Sequence, residues 1–232
     1  MEHPFLIVVS IFKVLGLETL AGLAFEYKHV LYTWVVMALL IGCGYIASKK
    51  VDLVPSKLQN LFELILSGME EFMVTVTGEE GRAFFPLTAT IFIYIFISNL
   101  IGMVPGFYSP TASLNTTLSC ALIVFFYTHY LGIKLHGTHY IKHFLGPVWW
   151  MVPLILPIEI IGHLARVLSL SFRLFGNMMG HELVLGILFM LAGAFFAPLP
   201  IMALGIFVAF VQAFIFFLLS VMYFTGAMEE AH

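Results

Sequence analysis

An arginine lies within a long apolar stretch of this chain, and this combination limits the possible folds more than any other feature. Arg173 stands between Gly146 and Gly193, with hydrophobic sequence extending far on both sides of it. An ionisable side chain in hydrocarbon costs about 2.5–3.5 kcal/mol at mid-bilayer. The same stretch also holds Glu159, His163, Arg166, Asn177, His181 and Glu182. A chain that keeps so many polar groups there needs them for a task, and the leading candidate is movement of charge through a membrane.

The composition supports a membrane protein. The chain has 232 residues, of which 61% are hydrophobic and only 10% are charged, whereas soluble domains contain roughly 25% charged residues. A net charge of −3 without a basic block argues against a nucleic-acid partner. Cys43 and Cys120 both lie in apolar runs, and no Cys or His spacing suggests a metal or redox site. We therefore expect no cofactor.

Three apolar segments in the first part of the chain are long enough to cross a bilayer. They are Val30–Ser48, Phe84–Val104 and about 114–133. Positive charge is concentrated in the segment 49–83 and again after the third span. The positive-inside rule therefore predicts that both of these loops are cytoplasmic, that the N-terminus lies outside and that the C-terminus lies in the cytoplasm.

Two further segments are expected at the membrane surface. Residues 1–27 show neither a basic start nor a small-residue cleavage pattern, so they are interpreted as a retained interfacial segment and not a removed signal peptide. Residues 57–77 have apolar side chains at i, i+3, i+4 and i+7, with polar residues on the other face. This pattern predicts an amphipathic surface helix.

The segment from 148 to 196 is too long for one upright helix, which needs about 20 residues. No polar turn divides it, so a strongly tilted helix is predicted, followed by a proline-containing turn and a last long helix over 201–224. The predicted fold is an all-α integral membrane protein with about five membrane helices, the last two long and strongly tilted, plus the surface helix. The whole chain, 1–232, forms one membrane domain, and 146–226 is the tilted hairpin that carries the ion path.

The polar residues of the long segment share one helix face. At 100° per residue, and relative to Glu159, they fall within a sector about 80° wide. They are Glu159, His163, Arg166, Arg173, Asn177 and His181, and we call this set the polar stripe. Glu182 points about 140° away from Glu159, toward a different neighbour.

One face of the last helix combines small and polar residues, namely Gly205, Ala209, Gln212, Phe216 and Ser220. The small side chains allow another helix to approach closely, and Gln212 offers a hydrogen bond across the interface.

Several functions are compatible with the stripe. Polar side chains near a helix end can snorkel to the membrane surface. This explains Arg173 poorly, because apolar sequence extends far on both sides of it. A permanently protonated guanidinium cannot shuttle protons, yet it can hold a fixed charge beside a passing carboxylate. The alternative is an unrelated solute or ion transporter with a site centred on Arg173, which would require inverted repeats and discontinuous helices. An intramembrane protease is disfavoured because Leu185 replaces the second histidine of H-E-x-x-H.

Ser169-Leu170-Ser171-Phe172-Arg173-Leu174-Phe175-Gly176-Asn177-Met178 resembles the signature of subunit a of bacterial-type rotary ATP synthases. The resemblance extends to Gln212-Ala213-Phe214-Ile215-Phe216 and to Ser109-Pro110-Thr111-Ala112 with Asn115-x-Thr117. Order and spacing agree from about 84 to 224.

This resemblance implies a non-catalytic stator subunit in the bacterial inner membrane. Its partners would be a ring of c subunits, the b-subunit stalk, the remaining ATP synthase subunits and lipid. Arg173 would face the ring carboxylate and separate two ion half-channels. The other implied ion-path residues are Asn177 and Gln212 beside the arginine, Glu182 in the outer half-channel, and Glu159 and Arg166 toward the cytoplasmic exit. The chain has no G-x-x-x-x-G-K-[ST] nucleotide motif.

One pair of positions departs from the family pattern. Many bacterial members carry a histidine where this chain has Gly205, and a small residue where this chain has His181. The two changes look reciprocal, which suggests that one imidazole has moved across a helix interface. We therefore hypothesise that His181 does the relay or packing work of the missing histidine.

Overall fold

A computed structural model describes residues 22, 25–49, 57–104, 106–137, 152–192 and 198–229. Over these ranges all regular structure is helical and no strand occurs. The helices are α1 (Lys28–Ser48), α2 (Lys57–Thr77), α3 (Phe85–Ile101), α4 (Leu114–His136), α5 (Val152–Ala192) and α6 (Pro198–Glu229). Short 3₁₀ turns at Glu79–Ala83 and Pro110–Ala112 precede α3 and α4.

The predicted all-α integral membrane fold is confirmed. In the described part of the chain, α1, α4, α5 and α6 are long and apolar enough to cross a membrane, and α3 is a shorter apolar helix. The span predicted over Phe84–Val104 is a helix only over Phe85–Ile101. The helix ends before Gly102, although Val104 is apolar. The prediction extended too far because hydropathy does not distinguish the end of a helix from an apolar loop.

α5 is the longest described helix, and it continues without a break through Arg173. Its 41 residues correspond to about 60 Å at 1.5 Å per residue, twice the roughly 30 Å of a bilayer core. Pro157 is the sixth residue of α5, so its missing N–H costs the helix one backbone hydrogen bond in its second turn. The strong tilt predicted for α5 and α6 remains an expectation that follows from these lengths.

The core lies where α3, α4, α5 and α6 meet. Phe92 and Ile95 of α3, Leu174 of α5, and Phe216 and Phe217 of α6 are all buried there. The face of α6 predicted to allow close approach is buried throughout, at Gly205, Ala209, Gln212, Phe216 and Ser220. Small residues on this face let the neighbouring helices approach α6 closely.

α2 has the bounds predicted for the amphipathic surface helix. It packs through Phe72, whose ring centroid lies 5.6 Å from that of Phe214 and 6.3 Å from that of Phe217. Met73 is fully buried, whereas Leu61 and Leu64, nearer the start of the helix, are exposed. The position of α2 at the membrane surface remains a prediction. The interfacial segment 1–27 falls almost entirely outside the described residues.

Contacts between helix ends define two sides of the bundle. The loop between α3 and α4 contains Ser109, and we call this end the Ser109 side. At the opposite end, a ring nitrogen of His136 lies 3.1 Å from the backbone oxygen of Met228, which joins the ends of α4 and α6. Lys134 lies in the same last turn of α4 as His136, and we call this end the Lys134 side.

Enlarging a buried small residue on α6 should destabilise the bundle. Ala213 has no exposed surface, so A213L should lower the free energy of unfolding by about 1–3 kcal/mol through overpacking. Unfolding in mixed micelles at increasing SDS concentration measures this change. Ala203 is exposed on the same helix, and A203L should leave the midpoint almost unchanged. Equal midpoints for the two variants would contradict the packing described here.

Candidate functional site

The polar stripe of α5 lies along the margin of its buried face. The buried residues of this helix fall at about 20–120° on the same angular scale, and the stripe lies between about −40° and 40°. These buried residues are Val167, Leu170, Ser171, Leu174, Met178 and Leu185. Arg166, Arg173 and Asn177 are exposed, whereas His163 and His181 are partly buried. The stripe therefore borders the packed bundle on one side and is open on the other.

Arg173 is exposed and makes no ion pair with any residue that the structure describes. One turn further along α5, the Nδ2 of Asn177 donates a hydrogen bond of 2.8 Å to the Oε1 of Gln212 on α6. Gln212 is buried. The structure thus brings together two of the predicted neighbours of Arg173, and it leaves the guanidinium itself directed away from the packed face.

The first polar cluster lies on the Ser109 side and contains Glu182, Ser109, Tyr108 and Lys28. The Ser109 backbone N–H donates to Glu182 Oε1 over 2.8 Å. The Lys28 ammonium lies 4.3 Å from the ring centroid of Tyr108, within cation–π range. Burial, together with the nearby Glu182 carboxylate, raises the pKa of Tyr108 to about 12, so its phenol stays protonated. The contact with Ser109 places Glu182 off the polar stripe, as its helical angle predicted.

A hydrogen-bonded loop holds this cluster against α3. The Ser109 hydroxyl donates to the backbone oxygen of Ser98 over 3.0 Å and lies 2.7 Å from the Thr111 hydroxyl. Thr111 in turn donates to Asn99 Oδ1. Ser98 and Asn99 were not identified as site residues from the sequence. The sequence did offer one indication of them, because they are two adjacent polar residues near the end of a mostly apolar span.

The second polar cluster lies on the Lys134 side and contains Glu159, His163, Arg166 and His129. The Nε2 of His163 is 3.2 Å from Glu159 Oε1, and the ring centroids of His163 and His129 are 5.0 Å apart. The Arg166 guanidinium lies 5.7 Å from the ring centroid of Tyr223 on α6. Sequence reasoning missed His129, although it is an isolated histidine in an apolar segment of α4.

His181 of α5 packs directly against Gly205 of α6. A Cβ atom placed on Gly205 would overlap the His181 imidazole and would also meet Met103. The His181 Nε2 is buried and has no hydrogen-bond partner among the residues described. The ring therefore fills the space that a side chain at position 205 would need, which is the contact expected from the reciprocal change in sequence.

The two clusters lie on opposite sides of Arg173. Glu159 precedes Arg173 by about 21 Å of helix, and Glu182 follows it by about 14 Å, at 1.5 Å per residue. The exposed cation thus separates two groups of proton-binding side chains, one toward each end of the bundle. The described residues contain no set of three or more histidine, cysteine or acidic side chains arranged to hold a metal ion.

These features define a multi-pass membrane protein with a two-sided polar path along one long helix. The chain belongs to the ATP synthase A chain family, whose model matches residues 30–225. It is 69% identical to ATP synthase subunit a of Desulfosudis oleivorans, with all of both chains covered. Identity is 58% to the subunit a of Syntrophobacter fumaroxidans and 50% to that of Geobacter sulfurreducens, again over the full length of both chains.

A large side chain at position 205 should destabilise the chain, and removal of the His181 ring should restore it. G205L is expected to cost about 1–3 kcal/mol by overpacking against the imidazole, and the double variant H181A/G205L should recover most of that loss. The SDS midpoint of unfolding measures both. Gly186 is exposed with nothing near its Cβ position, so G186L serves as the control. Failure of H181A to improve the stability of G205L would contradict direct packing of the two residues.

Proposed function

We propose that this chain is the stator subunit a of a bacterial ATP synthase, which forms two proton half-channels against a ring of c subunits. It couples proton movement to rotation of that ring and is not itself catalytic. Its other partners are the b-subunit stalk and the remaining subunits of the complex in the inner membrane. The N-terminus lies outside and the C-terminus in the cytoplasm, so the Lys134 side is cytoplasmic.

The observation that carries this proposal is the position of Arg173 between two separate proton-binding clusters. Protons enter and leave through the clusters, with Glu182 on the outer path and with Glu159 and Arg166 on the cytoplasmic path. A carboxylate of the rotor that moves past Arg173 is favoured in its ionised form, because an opposite charge stabilises it. The rotor therefore releases its proton on one side of Arg173 and takes up another after passing it.

The neighbours of Arg173 support this role. Asn177 and Gln212 form an interhelical amide pair that holds α6 beside the arginine. The exposed guanidinium has no anion in the described parts of its own chain, which leaves it available to a carboxylate from another subunit. The transporter alternative calls for discontinuous helices around a central site, whereas α5 is continuous from Val152 to Ala192.

Arg173→Ala provides the central test. Removal of the fixed cation should abolish ATP-driven proton pumping and increase passive proton leak, because nothing then separates the half-channels. Both quantities are measured on membranes that contain the complete complex, pumping by quenching of a pH-sensitive dye and leak by decay of an imposed pH gradient.

Arg82→Ala is the matched control for this experiment. Arg82 is an exposed residue paired with Glu70 and Glu79, and such surface pairs contribute only about 0–1 kcal/mol. R82A should pump and leak like the unmodified complex. Normal pumping by an assembled R173A complex would refute the proposed function.

His181→Ala tests whether the imidazole beside Gly205 serves the outer half-channel. We expect the variant to assemble, because a smaller side chain creates a gap and no overlap, but to pump protons much more slowly. The subunit is quantified in membranes by immunoblotting and pumping is measured on the same sample. Unchanged pumping would restrict His181 to a packing role.

A further inference from the structure

Two histidines from different helices meet on the Lys134 side. His129 of α4 and His163 of α5 have ring centroids 5.0 Å apart, with an interplanar angle of 56°. The Phe125 ring is roughly perpendicular to both, with its centroid 4.3 Å from that of His129 and 6.3 Å from that of His163. Packing of α4 on α5 creates this juxtaposition, since the two residues are far apart in the sequence. We call His129 and His163 the histidine pair.

Two charged residues of α5, Glu159 and Arg166, lie beside the histidine pair. On α5, the Glu159 carboxylate contacts His163 and the Arg166 guanidinium lies less than one turn further along the helix. Tyr223 of α6 faces Arg166. The two imidazoles, with ring centroids 5.0 Å apart, repel each other when both are protonated. Protonation of one ring therefore disfavours protonation of the other, so the two act as a coupled pair.

A small cavity lies beside His163 and extends to Arg166, the next residue of the polar stripe. Its volume is about 20 Å³, and a cavity of this size accommodates one water molecule. Polar groups of Thr128, His163, Arg166 and Tyr223 line it, together with apolar residues of α4 and α5. The side chain of Glu159 is 34% exposed and that of His163 only 15%. The groups thus form a series that leads from the partly exposed Glu159 carboxylate to His163, which contacts His129 and lines a water-sized space beside Arg166.

We propose that the histidine pair collects protons for the half-channel on the Lys134 side, with His129 as a proton carrier supplied by α4. The inference rests on the proposed function and adds His129, a residue that lies outside the family motifs. Imidazole is the side chain that exchanges protons most readily near neutral pH. Glu159 exchanges with bulk water, His163 and His129 hold the proton, and the cavity passes it to the stripe. Each transfer breaks one O–H or N–H bond and forms another, so the relay is balanced without any further reactant.

H129Q and H163Q in the complete complex test this proposal through their pH profiles. ATP-driven pumping, which takes protons from the Lys134 side, is measured from pH 6 to pH 8. The variants should pump about fivefold more slowly at pH 8 and near the normal rate at pH 6, because bulk protons then replace those that the imidazoles collect. The double variant should be no slower than the slower single variant, since the two residues act as a unit.

H136Q is the control, because His136 lies on the same helix and contacts only backbone oxygens of α6 in the described region. It should keep the normal pH profile. A uniform loss of pumping at all pH values in H129Q or H163Q would indicate a merely structural role and overturn the proposal, as would a normal profile. If H129Q fails to accumulate in membranes, H163Q decides the question by the same profile.

R173A separates this proposal from the proposed function. If R173A loses pumping and leaks while the histidine variants keep the normal profile, the ion path stands and only the role of the histidine pair is wrong. If assembled R173A complexes pump normally, the proposed function is refuted and the histidine proposal falls with it.

Discussion

A guanidinium that cannot lose its charge sets the main constraint on this molecule. Arg173 stays protonated at every physiological pH, and its helix is otherwise apolar enough to sit in hydrocarbon. In the parts of the chain that the structure describes, no acidic side chain pairs with it. Water or an anion of another subunit would compensate this charge. The fold meets this requirement by placing the cation on the margin of the buried face of α5, where the bundle covers one side of the stripe only.

Packing of α6 against α5 determines what lies beside that cation. The hydrogen bond between Asn177 and Gln212 joins the two helices, but interhelical bonds of this kind contribute only about 0.6 kcal/mol on average in membrane proteins. The main effect of this hydrogen bond is therefore to favour one register of α5 against α6. Buried small residues at Gly205, Ala209 and Ala213 let neighbouring groups approach α6 closely, and at Gly205 that group is the His181 ring of α5. Small residues as well as polar ones therefore determine what lies beside the arginine.

Features that follow from one helix alone were predictable from the sequence. The continuity of α5, the alignment of the stripe, the divergence of Glu182 from it and the small face of α6 all depend on local helical geometry. The contact of His181 with Gly205 was predictable only from their reciprocal departure from the family pattern. Other features depend on which helices pack together, and no local pattern encodes that. His129 was therefore missed, since only the packing of α4 on α5 brings it to His163.

The two polar clusters contain the same kinds of side chain in different arrangements, and this difference bears on how the path would conduct. On the Lys134 side, Glu159 contacts an imidazole that can itself gain or lose a proton. On the Ser109 side, Glu182 accepts a hydrogen bond from a backbone N–H, which cannot titrate, and the adjacent His181 turns away to α6. If the chain conducts as proposed, a proton on the Lys134 side is shared by several groups in contact, and this side buffers the proton supply. On the Ser109 side Glu182 and His181 point in different directions along the helix, so a proton there is localised on one group at a time. The two half-channels then differ in chemistry as well as in position, because a shared proton and a localised proton respond differently to the pH of the solution that each contacts.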